Sequence, residues 1–409
     1  MHSGITRGSP AYRRLSWAML LAGLATFSLL YSVQPLLPVF SAEYGVSAEA
    51  ASLAVSLATA PMALLLIPAG ILSDRIGRRP LMIGSLVAAA MLTILSAIMP
   101  GWETFLAMRF LTGVALAGIP AVAMTYLAEE VDAGSVGSAM GLYIAGSAIG
   151  GMSGRFGIAL LTDWMGWRTA EAALGATSLI MAAAFWRTAP VSRLFVPRRD
   201  DLGAIGRSLK RLAGDAALPY LYAVAFLLMG ALVTIYNYIG FRLTAPPFAL
   251  GQSAVGAIFL LYLLGSASST WFGGFAGRIG RRKVQWVPIA LLLAGVLLTA
   301  PDRLELIILG LALITIGFFG GHSIASSWVG RRAMQDRALA SACYLLFYYL
   351  GSSILGSVGG VAWTRGGWHG IVLFVGALAI LSILAALRLV AVKPLPFPES
   401  GPTPELPPG

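Results

Sequence analysis

The sequence predicts an all-α polytopic membrane protein, with twelve transmembrane helices in two six-helix pseudo-symmetric bundles. Three observations carry that prediction. Of 409 residues, 58% are hydrophobic and only 11% charged, well below the charge of an ordinary soluble domain, so the charges must be confined to short connections. The apolar residues fall into runs of about 20, the length a helix needs to cross a bilayer core. The chain also repeats itself: "LSDRIGRRP" from Leu72 returns as "FAGRIGRRK" from Phe275, and such repetition marks transporters built from two parallel half-bundles.

The spans cover residues 17–38, 50–72, 82–100, 104–126, 136–161 and 168–188, then 219–242, 253–276, 284–300, 304–328, 338–362 and 370–391. The first run is too long for a signal-peptide core and has no clear small-residue cleavage site, so it reads as a retained span. Residues 1–16 are then an N-terminal tail, 17–188 the first bundle, 189–218 a linker with an amphipathic surface helix, and 219–391 the second bundle. Residues 392–409 form a proline-rich tail too polar to build a core, expected to be disordered. Twenty-two of the 28 Lys and Arg fall on the side that holds both termini and four on the other, while Arg109 and Arg155 lie within spans. The positive-inside rule puts both termini in the cytoplasm.

Composition also excludes. The net charge of +11 is accounted for by topology anchors beside apolar runs rather than by a nucleic-acid surface. Cys343 is the only cysteine, so no intrachain disulfide can form. With three histidines, no H-E-x-x-H cluster and no Walker loop, no metal site, cofactor, enzymatic activity or ATP-driven pumping is expected.

The segment "GILSDRIGRRP", Gly70 to Pro80, joins spans two and three. Glycines at 70 and 77 let helix ends approach and turn sharply, and Asp74 can face a helix end or an arginine. With Arg75, Arg78 and Arg79 the loop reads as a conformational latch, although the arginines alone also suit topology anchors. The second copy has Gly277 where the first has Asp74, so the latch is asymmetric.

The spacing of Gly70, Leu72, Asp74, Arg75, Gly77, Arg78 and Arg79 resembles the signature loop of the major facilitator superfamily. Arg109, four residues before Gly113, and the glycine-rich span five extend the resemblance along the chain. "GSAIGGMSGR", "TIYNYIGFRL" and "GGHSIASSWVGRR" are similar to a bacterial exporter-like branch related to drug:proton antiporters, of the drug or sugar efflux kind; its glycine-proline pair reads Gly151-Met152 here. The resemblance implies that Asp74 contacts the start of span eleven and that Arg78 contacts an acid at the end of span four, where Glu129 and Glu130 stand.

Polar groups inside spans are costly and default to functional roles. Arg109 and Arg155 lie roughly 9 Å and roughly 12 Å below the external ends of spans four and five. Tyr31, Gln34, Tyr143, Asn237, His322 and Tyr344 complete the cavity or substrate candidates. Pairing of the arginines with Asp163 or Glu171 at the mouth, an interhelical hydrogen bond for Asn237 and packing for His322 are the alternatives. Rows of small residues, Gly146, Gly150 and Gly154 in span five and Gly351, Gly356 and Gly360 in span eleven, suggest moving interfaces. No acid is found well inside any span, and span one holds none, which leaves Asp74, Glu129, Glu130, Asp163, Glu171 and His322 as proton carriers. Guanidinium groups without an acid favour an anionic, zwitterionic or neutral polar solute over a permanent cation. The expected function is proton-coupled efflux of a small organic solute by a monomer in a bacterial inner membrane. Its partners are the solute, protons and lipid, with no nucleic acid. Uptake by proton symport is the alternative on the same fold, and a transport-inactive receptor or scaffold would place its function in the linker or tail.

Overall fold

Span one is interrupted where its prolines fall. The helix Pro10–Tyr31, capped by the Ser9 hydroxyl on Tyr12 N, gives way to a 3-10 turn Gln34–Leu36 and then the helix Leu37–Tyr44. Pro35 and Pro38 have no N–H to continue the ladder, so the rod breaks about two thirds of the way along. The computed structural model in which this is seen describes residues 4–132, 134–192, 195, 202–333 and 335–392. The proline-rich tail from 393 on and most of residues 193–201 in the linker lie outside the described residues; within the linker, Leu202–Ala213 is a helix.

Span two is the helix Ala48–Ile76, and span three, Arg78–Ala97, starts after one residue, Gly77, whose φ of 98° only glycine adopts cheaply. Span four is split into Trp102–Leu116 and Ala123–Glu130 around Pro120. Spans five and six are one 53-residue run, Val136–Thr188, folded back at Gly166 (φ 76°). The second half copies this plan. Span seven is Leu218–Thr244, span eight runs from Gln252 to Ile279 through a 3-10 turn, and span nine is Arg281–Val284 with Trp286–Leu298. Span ten is Leu304–Arg332, and spans eleven and twelve are the 54-residue run Arg337–Val390, folded back at Gly367 (φ 53°). Gly280 (φ 108°) stands where Gly77 stands in the first half, and Gly367 where Gly166 stands. The internal repeat is thus a repeat of backbone turns.

The end carrying the Gly70–Pro80 loop is called here the basic end, and the opposite one the far end. Two of the four arginines counted on the far side satisfy carbonyls left open at helix ends. Arg168 donates to the carbonyls of Ala97 and Met99 after span three, and Arg242 to those of Thr299, Ala300 and Pro301 after span nine. At the basic end Ile5 bonds to the backbone of both Glu130 and Asp132 beside span four.

Five of the six glycines expected at moving interfaces lie inside one half. Gly146, Gly150 and Gly154 bring span five onto the backbone of Leu20, Leu24 and Ser28 in span one, and Gly351 and Gly356 bring span eleven onto Phe226 and Val233 in span seven. Small residues at four-residue steps let parallel neighbours approach, and that approach is made within each bundle. Gly360 alone of the six faces the other half, against Glu49 of span two.

Candidate functional site

The two halves are tied at the far end. Ser56 Oγ of span two donates to the Ser353 carbonyl at 3.0 Å and shares a 2.6 Å hydrogen bond with Ser357 Oγ, and Ser353 Oγ donates back to the Ser56 carbonyl at 3.0 Å. Gln252 Nε2 donates to the Pro35 carbonyl, and Asp163 accepts from Ser253 N (2.9 Å) and from its hydroxyl. Asp163 is thus a tie between the halves and not an arginine's partner. Among the described residues every side-chain hydrogen bond between the bundles lies in this far half.

Beneath the seam sits a polar chain that crosses between the bundles. Arg155 Nε donates to Gln34 Oε1 at 2.7 Å, Gln34 Nε2 donates to Asn237 Oδ1 at 2.7 Å, and Asn237 Nδ2 reaches the Gly356 carbonyl at 3.5 Å. The break in span one places Gln34 there. Because an arginine can only donate, its bond fixes which end of the Gln34 amide is oxygen, and so the direction of the whole chain. Arg155 Nη1 donates back to Gly151 O at 2.6 Å, and the guanidinium lies over the rings of Tyr31 (4.2 Å), Tyr262 (5.1 Å) and Phe259 (5.3 Å). It has no carboxylate within 4 Å, and its Nη2 has no hydrogen-bond partner, among the described residues. A buried cation held by rings and amides, with donor capacity left over, is built to accept an anion.

A second group lies in the other bundle, toward the basic end. Tyr344 Oη bonds to His322 Nδ1 at 2.9 Å, and the imidazole stacks on Phe318 and against Tyr348, whose ring packs on Tyr349. Tyr236 Oη meets Thr315 Oγ1 at 2.8 Å beside Phe259 and Tyr262. Tyr236, Phe259, Tyr262, Tyr348 and Tyr349 escape a reading based on charge, and the one signal for them in the sequence, their clustering in spans seven, eight and eleven, went unread. Tyr143 is buried, and among the described residues its hydroxyl has no hydrogen-bond partner.

Arg109 does not line this region. Its Nε donates to the Ala54 carbonyl (2.9 Å), Nη1 to Leu29 O (3.1 Å) and Nη2 to Leu30 O (2.6 Å), and the side chain is fully buried. It braces the carbonyls left open where the first helix of span one stops. Glu171 is not at the mouth either: it is 0% exposed inside the first half. Glu171 lies only about one turn into span six, as the reading 168–188 had it, but its side chain turns into the bundle toward Ser32 of span one instead of standing at the mouth.

In the signature loop Arg78 bonds to Glu129 through Nε and Nη2 (2.9 Å for the latter), to Ser73 Oγ, and to Asp74, with which it forms an ion pair. The Arg78 contact with Glu129 that the resemblance implied is present. Asp74 pairs with Arg78, four residues on, and not with span eleven, since the halves are joined at the other end. Arg79 donates to the carbonyls of Trp186 and Ala189, and Arg75 is exposed. Gly77 makes the turn, whereas Gly70 is mid-helix with open space where a Cβ would stand, so no close approach requires it. Glu130 is buried and its carbonyl receives Ile5 N.

A shallow recess of about 460 Å³ between residues 97–100 and 168–172 lies at the periphery of the first half, away from the polar chain. Among the described residues no cluster of His, Cys, Asp or Glu is arranged to hold a metal.

Residues 16–245 match the profile of the Major Facilitator Superfamily. The chain is 44% identical over 368 residues to the MFS-type transporter YybF of Bacillus subtilis (strain 168), covering 90% of this chain and 91% of that protein. It is 44% identical over 385 residues to the inner membrane transport protein YnfM of Escherichia coli (strain K12), covering 94% and 92%. In fold it is similar to the crystal structure of a bacterial homolog of the human lysosomal transporter Spinster, inward-facing and unoccupied, with a TM-score of 0.76 at 14% identity, covering 94% of this chain and 98% of that one.

Proposed function

Because this chain belongs to the Major Facilitator Superfamily, and is therefore a multi-pass membrane transporter and not an enzyme, we propose that it exports a small organic solute bearing an acidic group, driven by protons. One observation carries the choice of solute. Arg155 is a buried cation between the halves with no acid beside it and one nitrogen unused, so a carboxylate or phosphate completes its shell while a cation is repelled. Tyr31, Phe259 and Tyr262 give the rest of such a solute an apolar wall.

The basic end faces the cytoplasm of a bacterial inner membrane, a reading supported by the segregation of Lys and Arg and by the likeness to YnfM. The ties at the far end, and the lack among the described residues of side-chain hydrogen bonds between the bundles at the basic end, then support a state open to the inside. Export requires the Ser56, Gln252 and Asp163 ties to break and the basic end to close. The single chain suffices, since both faces of the pathway come from its own halves. Arg78, Asp74 and Glu129 hold spans two, three and four as one body, which the Arg79 contacts extend to span six.

The test compares efflux of matched anionic, neutral and cationic compounds from cells expressing wild type or Arg155→Ala, with and without an uncoupler. Anions leave fastest in wild type, the uncoupler stops them, and Arg155→Ala loses the preference. Selective export of cations, unchanged in Arg155→Ala, overturns the reading. Inward flux of the same anions into cells would instead favour uptake by symport.

A further inference from the structure

Glu171 is the acid that the polar chain does not use. Its side chain is fully buried; among the described residues Oε1 has no hydrogen-bond partner and Oε2 receives only a long 3.5 Å bond from Ser32 Oγ. Arg109 lies close enough for the two charges to interact, but among the described residues Glu171 makes no ion pair within 4 Å. All three donor nitrogens of Arg109 that make bonds are engaged with backbone carbonyls. Neither protonation state is fully provided for: the Arg109 charge and the Ser32 hydroxyl suit the carboxylate, while burial and the bare Oε1 suit the acid. A group so balanced changes state at low cost.

Its neighbours leave few rivals. Span three brings no titratable group after Arg79, and span four brings Arg109, with Glu103 in its first turn at the far end and Tyr126, Glu129 and Glu130 at the basic end. Span two has Glu49 at its far end, turned toward Gly360 of the other half. On span six itself Arg168 lies one turn away and is paired with Glu43. Ser32 and Gln34 flank the break in span one, so the acid's one donor stands two residues from the residue that links Arg155 to Asn237.

We infer that Glu171 is a reversible proton-binding site, and that Arg109 passes its charge state to the break in span one. On protonation one H⁺ from water joins a Glu171 oxygen, the Arg109–Glu171 site goes from neutral to a charge of +1, and the Ser32 bond to the carboxylate weakens. Arg109 then bears on the carbonyls of Leu29 and Leu30 without compensation, at the point from which Tyr31 and Gln34 reach the solute position. The inference rests on the transporter reading for its purpose alone, because the proton can be observed with no solute present.

The experiment is pH-difference infrared spectroscopy of the full-length protein in lipid vesicles, following the carbonyl stretch of protonated carboxylic acids from about pH 5 to about pH 9, the range in which buried carboxyls have been found to titrate. Wild type shows a band that titrates; it is lost in Glu171→Gln and kept in Asp163→Asn and Asp74→Asn. Ser32→Ala, a mild change that keeps the acid, moves the midpoint to higher pH. A second readout, accessibility of single cysteines at the far-end seam, depends on pH in wild type and not in Glu171→Gln. An unchanged band in Glu171→Gln, a wild type with no titrating band, or a midpoint indifferent to Ser32→Ala overturns the site. Seam accessibility that keeps its pH dependence in Glu171→Gln overturns the link to span one.

Discussion

Replacing Gly360 by Ala tests which glycines belong to a moving surface. A Cβ at Gly360 would stand 2.6 Å from Glu49 Cβ and Cγ and 2.7 Å from its Cα, across the seam between the bundles. Contacts that short force span two and span eleven apart, and overpacking of this kind costs about 1–3 kcal/mol. The cost falls only on the state in which the far end is closed, because only there do the two spans meet. The ratio of far-end-closed to far-end-open molecules should therefore drop by about 5- to 150-fold. Gly150→Ala is the control: its Cβ would meet Leu24 Cα at 2.6 Å, within one bundle, in either state. It should lower the melting temperature and leave the ratio alone. Spin labels on the connections between spans one and two and between spans seven and eight, with Cys343 replaced by Ser, report the far-end distance. Should Gly360→Ala leave the distance distribution unchanged while Gly150→Ala shifts it, the assignment of seams is wrong.

Arg109→Ala orphans the buried carbonyls of Leu29 and Leu30, left open at a helix end, at about 1–3 kcal/mol each, so it should fail to give a monodisperse protein in detergent, whereas Arg155→Ala should remain folded. Asp74→Asn removes one of two acids from Arg78 and should slow flux without unfolding the protein; normal flux together with unchanged accessibility labelling at the basic end would refute a role for the loop. Burial acts against the carboxylate of Asp215, but hydrogen bonds from Arg332 and from the backbone of Ala217 and Leu218 outweigh it and hold its pKa below the ordinary value. Its contribution is then whole above about pH 4, the usual carboxylate range, and fades as pH falls through the lower folded value. Melting curves of wild type and Asp215→Asn should differ by a constant amount near neutrality and converge in acid.

The span count, the repeat and the loop were legible because they rest on length, periodicity and glycine spacing, which the chain states outright. Arg155, Gln34 and Asn237 were found by depth alone, and they do meet. Arg109, at similar depth, was misread since a hundred-degree step per residue turns a side chain from cavity to brace, and nothing in one sequence reports rotation about a helix axis. Glu171 was misjudged for the same reason: its place one turn into span six was read correctly, but its side chain turns into the bundle and not to the mouth. The aromatic residues around Arg155 and His322 were hidden by their own abundance, as Tyr and Phe line packing, lipid and solute alike.

The turns at Gly166 and Gly367 have a practical consequence. Each reverses the chain in a single residue, and the other far-end connections run from residues 45–47, 98–101, 245–251 and 299–303. That face offers a protease, an antibody or an inserted epitope almost no chain to grip. Handles for purification, crosslinking or fiducial binders belong on the opposite face, in the stretch between Ala189 and Ala217, where an insertion lengthens an existing connection instead of prying open a hairpin.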